Sequence, residues 1–276
     1  MTKPAKKDKK QKRRFYDLED VHLVRNFFID FSVTYDREER AEEALDALEL
    51  LGHNPSQGTL LDLGCGRGRM TKWFSKRLDV YSIGLEVCAA FANEAKAHDP
   101  KVEYLLASGT NLPFREKTFH TVILNDVLEH VSYQNALELF RQIRTALDDK
   151  GRLYVSVASK FEIIEPHSGI LFMSWFPRWV YLPVVRRIFH DDVYPYTFGR
   201  FKRLAEKTGF HFEDVTCLYV LKKVQNLNYI GNVMLRPVVQ LLNKLGLTRI
   251  RGFLKFLEPF GVLIFVCRKQ LEKRTE

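Results

Sequence analysis

The chain has 276 residues, 46% of them apolar and 13% aromatic, which is enough greasy surface for one sizeable core and too much for wholesale disorder. Its net charge of +9 is unevenly spread: residues 1–14 hold eight basic side chains against Asp8, or +7, and the residues from Lys222 onward hold eleven against three acids, or +8. The middle is therefore mildly acidic at −6, and two basic ends of this kind suit an anionic partner, either a membrane face or a polyanion.

The four cysteines are far apart without a C-x-x-C and the eight histidines show no H-x-x-x-H, so no disulfide framework, structural zinc site or other metal is expected. The N-terminal charged run has no apolar segment behind it, and no stretch reaches the ~20 apolar residues of a membrane-spanning helix. The expectation is a cytoplasmic protein, peripheral at a membrane if its basic ends engage one. The alternative for residues 1–14 is a solvated tail with no partner.

In chain order, a basic tail over 1–16 precedes a helix-prone region, Leu18 to Leu51, with Ala41, Leu45, Leu48 and Leu51 on roughly one face. Gly52 and Pro55 end it. Strand and helix then alternate: strands at 59–63, 80–86, 102–107, 121–126 and 152–158, helices at 68–77, 88–97 and 133–147. Short, nearly all-apolar strands separated by helices predict an α/β fold, a doubly wound and mostly parallel sheet covered on both faces. Further on come an aromatic segment (160–196), a helix (197–208), a strand at 210–220, an amphipathic basic stretch (221–260) and a last strand at 261–267. Residues 17–276 thus read as one domain, with insertions at about 160–196 and 221–260.

The stretch L-L-D-L-G-C-G-R-G-R-M at 60–70 ends its strand near Asp62 and turns through Gly64, Gly66 and Gly68, which lets backbone approach a ligand where a Cβ would collide. A dinucleotide loop, G-x-G-x-x-G, would need glycine at 69, where Arg69 stands. The next strand ends in Glu86, an acceptor suited to a pair of ribose hydroxyls. L-D-L-G-C-G-R-G, followed in order by I-G-L-E at 83–86, N-L-P-F at 111–114, F-H-T-V-I-L-N-D-V-L-E-H-V at 119–131 and G-R-L-Y-V-S-V at 151–157, resembles the class I S-adenosylmethionine-dependent methyltransferases over about residues 40–220.

That resemblance implies a Rossmann-like seven-stranded sheet, S-adenosyl-L-methionine as cofactor and the following roles. Gly64, Gly66 and Gly68 cradle the methionine and ribose portion, Asp62 orients the loop or the amino group, and Glu86 takes the ribose hydroxyls. Ser108, Gly109 and Thr110 face the adenine, and Asn125 with Asp126 sits near the methionine end. Ser108 replaces the family's common acid, a weaker acceptor for the adenine amino group, and His120 replaces its usual aspartate. Glu129 and His130 read more readily as capping and packing residues than as catalysts.

Methyl transfer from a sulfonium needs alignment and exclusion of water rather than a nucleophilic side chain or a metal. For a hydroxyl acceptor a base helps, and His167, beyond the 152–158 strand, is preferred over His190. Aromatic residues interleaved with arginines in 160–196 suit a greasy acceptor pocket or a membrane interface, so the expected acceptor is a small molecule or a lipid-linked one, methylated on oxygen or carbon. Two alternatives stay open: an RNA methyltransferase steered by the basic ends, disfavoured by the lack of an RNA-binding module, and a non-catalytic cofactor-binding scaffold for another enzyme. Oligomeric state is not encoded.

Overall fold

A computed structural model describes residues 37–162, 170, 172–189, 192–216 and 262–270. The tail, the 221–260 stretch, His167 and His190 lie outside the described residues.

The first described helix, α1 (Arg37–Leu50), opens with Glu38 and Glu39, acids that suit the positive end of the helix dipole. It stops because Gly52 takes a left-handed φ of 74°, letting Gly52 N–H reach Glu49 O at 2.9 Å and His53 N–H reach Leu48 O at 3.0 Å. Then come β1 (Thr59–Leu63), α2 (Arg69–Leu78), β2 (Tyr81–Glu86), α3 (Ala89–His98), β3 (Glu103–Leu106), β4 (Phe119–Asn125), α4 (Tyr133–Ala146) and β5 (Leu147–Ala158). After an aromatic excursion containing α5 (Arg178–Phe189), the chain continues through α6 (Phe198–Lys207), β6 (Phe210–Asp214) and β7 (Val262–Lys269). Ser132 and Thr197 cap α4 and α6, their hydroxyls accepting from Asn135 N at 3.2 Å and Arg200 N at 3.2 Å.

The sheet order is β3-β2-β1-β4-β5-β7-β6. All pairings from β3 to β5 are parallel, and β7 is antiparallel to both its neighbours. The predicted doubly wound, mostly parallel seven-stranded sheet is thus the observed one. Both faces are covered, and the period-2 alternation splits each strand between them. Leu61, Leu63, Val122, Leu124, Val155 and Phe265 pack with α4 and α6 residues such as Phe140 and Phe201, whereas Leu60, Ile123, Tyr154 and Ile264 pack with Leu45 and Leu48 of α1 and Phe74 of α2. Phe201 stacks on Phe265 at 3.7 Å and 4°.

Two boundaries differ from expectation by more than two residues. β5 begins at Leu147, not 152, because Leu147 pairs with Phe119 and the next pair is Thr121 with Arg152, so the chain bulges out between them. β6 ends at Asp214 within the described residues, where the Asp214 carboxylate turns to accept from Thr216 N at 3.0 Å.

Candidate functional site

Strand order reverses between β1 and β4, and in an open parallel sheet the crevice beyond the carboxyl ends at such a point is where ligands bind. The glycine loop lies there. Gly64, Gly66 and Gly68 all have left-handed φ, 78°, 55° and 73°. A Cβ on Gly64 would lie 2.3 Å from Val127 Cγ2 and one on Gly68 2.5 Å from the Tyr104 hydroxyl, so these two glycines are required by what packs against the loop. A Cβ on Gly66 would meet nothing within 4 Å. That glycine borders open space, a cradle with room for a ligand.

The loop is held from outside itself. Gly64 and Cys65 donate to Leu85 O at 2.7 and 3.1 Å, and the Tyr104 hydroxyl donates to Gly68 O at 3.1 Å. Asp62, buried, accepts from Thr71 Oγ1 at 2.6 Å, which ties the end of β1 to the first turn of α2. Burial, then the Asp62 and Glu86 carboxylates, pushes the Cys65 thiol well above its ordinary range, so it stays protonated and inert.

Glu86 is 8% exposed, and its carboxylate accepts backbone N–H from Gly66 on one oxygen (2.8 Å) and from Val87 and Cys88 on the other (2.8 Å each). Three of about four lone-pair directions are therefore engaged. In this structure Glu86 organises the loop, and the fourth direction is what remains for a hydroxyl. Nearby Ser108 and Thr110 are joined hydroxyl to hydroxyl at 2.9 Å, and Ala107 N–H donates to Glu86 O at 3.0 Å, placing the 107–110 turn beside the end of β2. Gly109 allows Leu139 and Leu63 to approach beneath it.

On the other side of the crevice, Asn125 and Asp126 follow β4. Asp126 holds a left-handed φ of 53° unusual for a residue with a Cβ, fixed by its N–H donating to Ser156 O and Oγ at 3.2 and 3.1 Å. Asn125 Nδ2 donates to Asp126 Oδ2 at 3.0 Å, and the Ser156 hydroxyl lies 2.8 Å from Asn125 Oδ1. Over this group comes Arg40 from α1, donating to Asp126 Oδ1 at 2.5 Å. Sequence reasoning missed Arg40: nothing in R-E-E-R-A marks a residue that will meet a partner 86 positions away. It also missed Val87, just past the end of β2, and Leu106, the last residue of β3, open apolar side chains at 71% and 59% exposure.

The remaining candidates divide. Asp62, Gly64, Gly66, Gly68, Glu86, Ser108, Gly109, Thr110, Asn125 and Asp126 come together along one edge of the sheet. Glu129 lies in a short 3₁₀ turn (Leu128–His130) before α4 rather than in the helix itself, and is buried, whereas His130 is exposed. His120 sits at the opposite end of β4, stacked on His53 at 4.5 Å with Nδ1 3.0 Å from Asp148 Oδ2. Among the described residues no cluster of His, Cys, Asp or Glu is placed to hold a metal ion.

A doubly wound sheet with this strand order, one antiparallel strand and a G-x-G-x-G loop facing an acid at the end of β2 defines a nucleoside-binding α/β domain of the methyltransferase kind. Residues 61–155, about a third of the chain, match the family model described as "Methyltransferase domain", and the fold is that of the class I S-adenosylmethionine-dependent methyltransferases. It is 33% identical over 112 residues to an uncharacterised protein of Methanocaldococcus jannaschii, covering 41% of this chain and 46% of that protein. It is 31% identical over 130 residues to the 2-phytyl-1,4-naphtoquinone methyltransferase of Thermosynechococcus vestitus (43% and 56%), and 28% over 108 residues to the tRNA (carboxymethyluridine(34)-5-O)-methyltransferase of Saccharomyces cerevisiae (39% and 38%). The chain thus spans about half the length of such curated relatives. In fold, it is similar to the S-adenosylmethionine-dependent methyltransferase from Mesorhizobium loti, with a TM-score of 0.55, 18% identity, and 81% of this chain and 96% of that one covered.

Proposed function

We propose that this protein is an S-adenosylmethionine-dependent methyltransferase acting on a small-molecule or lipid-linked acceptor, by O- or C-methylation. The observation that carries the reading is the convergence at one sheet edge of an open glycine cradle at Gly66, the Glu86 carboxylate that shapes it, and the Asn125–Asp126–Arg40 group opposite. The residues present fit the cofactor. Gly66 gives backbone bare of a Cβ against which ribose and methionine would lie, Glu86 would keep one acceptor direction for a ribose hydroxyl, and Ser108 with Thr110 would line the adenine side. Val87 and Leu106 offer apolar surface at the same end. Asp126, 32% exposed, would take the methionine amino group, with buried Arg40 holding the Asp126 carboxylate in place.

When bound, the cofactor supplies an electrophilic methyl group on sulfur, so the protein's task is alignment in a site without bulk water. His167 is our candidate base for a hydroxyl acceptor. An acceptor of the quinone type is supported by the naphtoquinone relative; an RNA acceptor, our second reading, by the tRNA relative and the basic ends.

Calorimetric titration with S-adenosylhomocysteine tests the cofactor reading. The wild type should bind, and Gly66→Arg, which fills the cradle, should lose binding while retaining its far-UV circular dichroism. No binding by a folded wild type would sink it. Product formation with lipid extract but not with purified RNA would separate the two acceptor readings, and absence of turnover with both alongside cofactor binding would favour a scaffold.

A further inference from the structure

Exposed phenylalanine and tryptophan surface is concentrated in one place. Among the described residues, every phenylalanine or tryptophan open to solvent falls between positions 172 and 179: Phe172 at 45%, Trp175 at 45%, Phe176 at 49% and Trp179 at 77%. Single exposed apolar side chains need no explanation, but a contiguous aromatic patch does. The patch is also built rather than slack. Phe172 sits edge-on to Trp175 at 5.1 Å, the Trp175 indole N–H donates to Glu162 O at 3.0 Å, and Lys160 Nζ donates to the carbonyls of Ser174 and Phe176 at 3.0 and 3.2 Å. Beneath it, Tyr181, Val185 and Val193 make their own small core with Met173, so α5 has a packed inner face. Trp179, Pro183, Arg186 and Arg187, at the i, i+4, i+7, i+8 spacing of one helix face, are all exposed.

The charge around the patch selects its partner. Helix α5 carries Arg178, Arg186 and Arg187 and no acid. Asp192 faces two of them, 3.9 Å from Arg178 and 2.7 Å from the Arg186 Nη2, and its carboxyl is held below the usual range chiefly by the Arg186 guanidinium. The rim is therefore net positive, yet two of its three cations already share an anion. A surface built to track a polynucleotide would keep its guanidinium groups for phosphates and would not set a carboxylate among them. Aromatic burial at headgroup depth with a modest cationic rim is what an anionic bilayer rewards.

We infer that residues 172–187 form an interfacial docking face for an anionic lipid bilayer, with Phe172, Phe176 and Trp179 entering the headgroup boundary and the α5 arginines meeting lipid phosphates. The segment leaves the sheet at Ala158, the carboxyl end of β5, on the same edge as the glycine loop. On the methyltransferase reading, docking would bring that edge to the membrane and let an apolar acceptor enter from it.

The chain has three tryptophans, Trp73, Trp175 and Trp179, and Trp73 packs partly buried against the core on α2. Lipids with brominated acyl chains therefore report insertion of this face directly. Full-length protein should bind phosphatidylcholine vesicles containing phosphatidylglycerol, with indole fluorescence quenched. It should bind far less to phosphatidylcholine alone, and salt should weaken the interaction without abolishing it. Trp179→Ser should lower vesicle affinity about tenfold or more and remove most quenching while S-adenosylhomocysteine affinity stays unchanged, which shows the fold and cofactor site intact. Deleting residues 1–14 should lower affinity but leave the bound protein quenched. Vesicle binding without quenching, equal binding by Trp179→Ser, no binding at all, or displacement from vesicles by an RNA oligonucleotide would each overturn the proposal. Because cofactor titration is read separately, failure here leaves the methyltransferase reading standing.

Discussion

Arg40→Met probes how the first helix is attached to the site. The Arg40 side chain is 2% exposed, and its guanidinium contacts Asp126 Oδ1 at 2.5 Å, Glu43 Oε2 at 3.4 Å and Ser156 Oγ at 3.5 Å. Methionine keeps much of the aliphatic volume and removes the cation, leaving two carboxylates without the charge between them. Removing one partner of a fully buried ion pair costs about 3–5 kcal/mol. Asp126 is 32% exposed, so water recovers part of this, and the loss should be about 2–3 kcal/mol. Urea unfolding followed by circular dichroism measures it. In the double variant Arg40→Met with Asp126→Asn no anion is left stranded at 126, so the two losses should fall short of adding by about 1–2 kcal/mol. A single-variant loss below about 0.5 kcal/mol, or strict additivity, would refute the account of α1 as clamped through this pair. S-adenosylhomocysteine affinity should fall with the clamp.

Two other substitutions have sharp expectations. Gly64→Ala combines a φ of 78° with a Cβ 2.3 Å from Val127 Cγ2 and should cost about 3 kcal/mol and cofactor binding, whereas Gly66→Ala, with φ 55° and open space, should cost only about 1 kcal/mol in the same unfolding assay. His53 is 5% exposed, bonded to Thr121 Oγ1 at 2.9 Å, and lowered to about 4 by burial first, then by His120 and Arg152, with Asp148 opposing. Its folded form resists protonation, so the stability it contributes is whole above about pH 6.5 and is lost as pH falls toward about 4; with solvent screening the change should be about 2 kcal/mol. His53→Gln, which still bonds Thr121, should be less acid-sensitive by that amount; an unchanged pH profile would show the proton goes elsewhere.

The elements themselves were legible in the sequence because they follow from short-range rules. Apolar runs of strand length fix β1, β2 and β4 within about two residues, and the alternation of Leu60 and Asp62 with Leu61 and Leu63 follows from the pleat alone. The left-handed turn at Gly64, Gly66 and Gly68 was equally local, since only glycine adopts it three times in five residues without strain. What tertiary structure decided involves residues far apart in the chain. That β7 inserts antiparallel between β5 and β6 depends on long-range pairing, and no local pattern encodes a strand's neighbour. The same holds for Arg40 closing on Asp126, for Val127 and Tyr104 demanding two of the loop's glycines, and for Glu86 spending three hydrogen bonds on backbone N–H groups. The residue types at those positions announce capacity for charge, volume or hydrogen bonding; which groups use that capacity is set only when packing brings distant segments within contact and burial makes an unmet polar group costly.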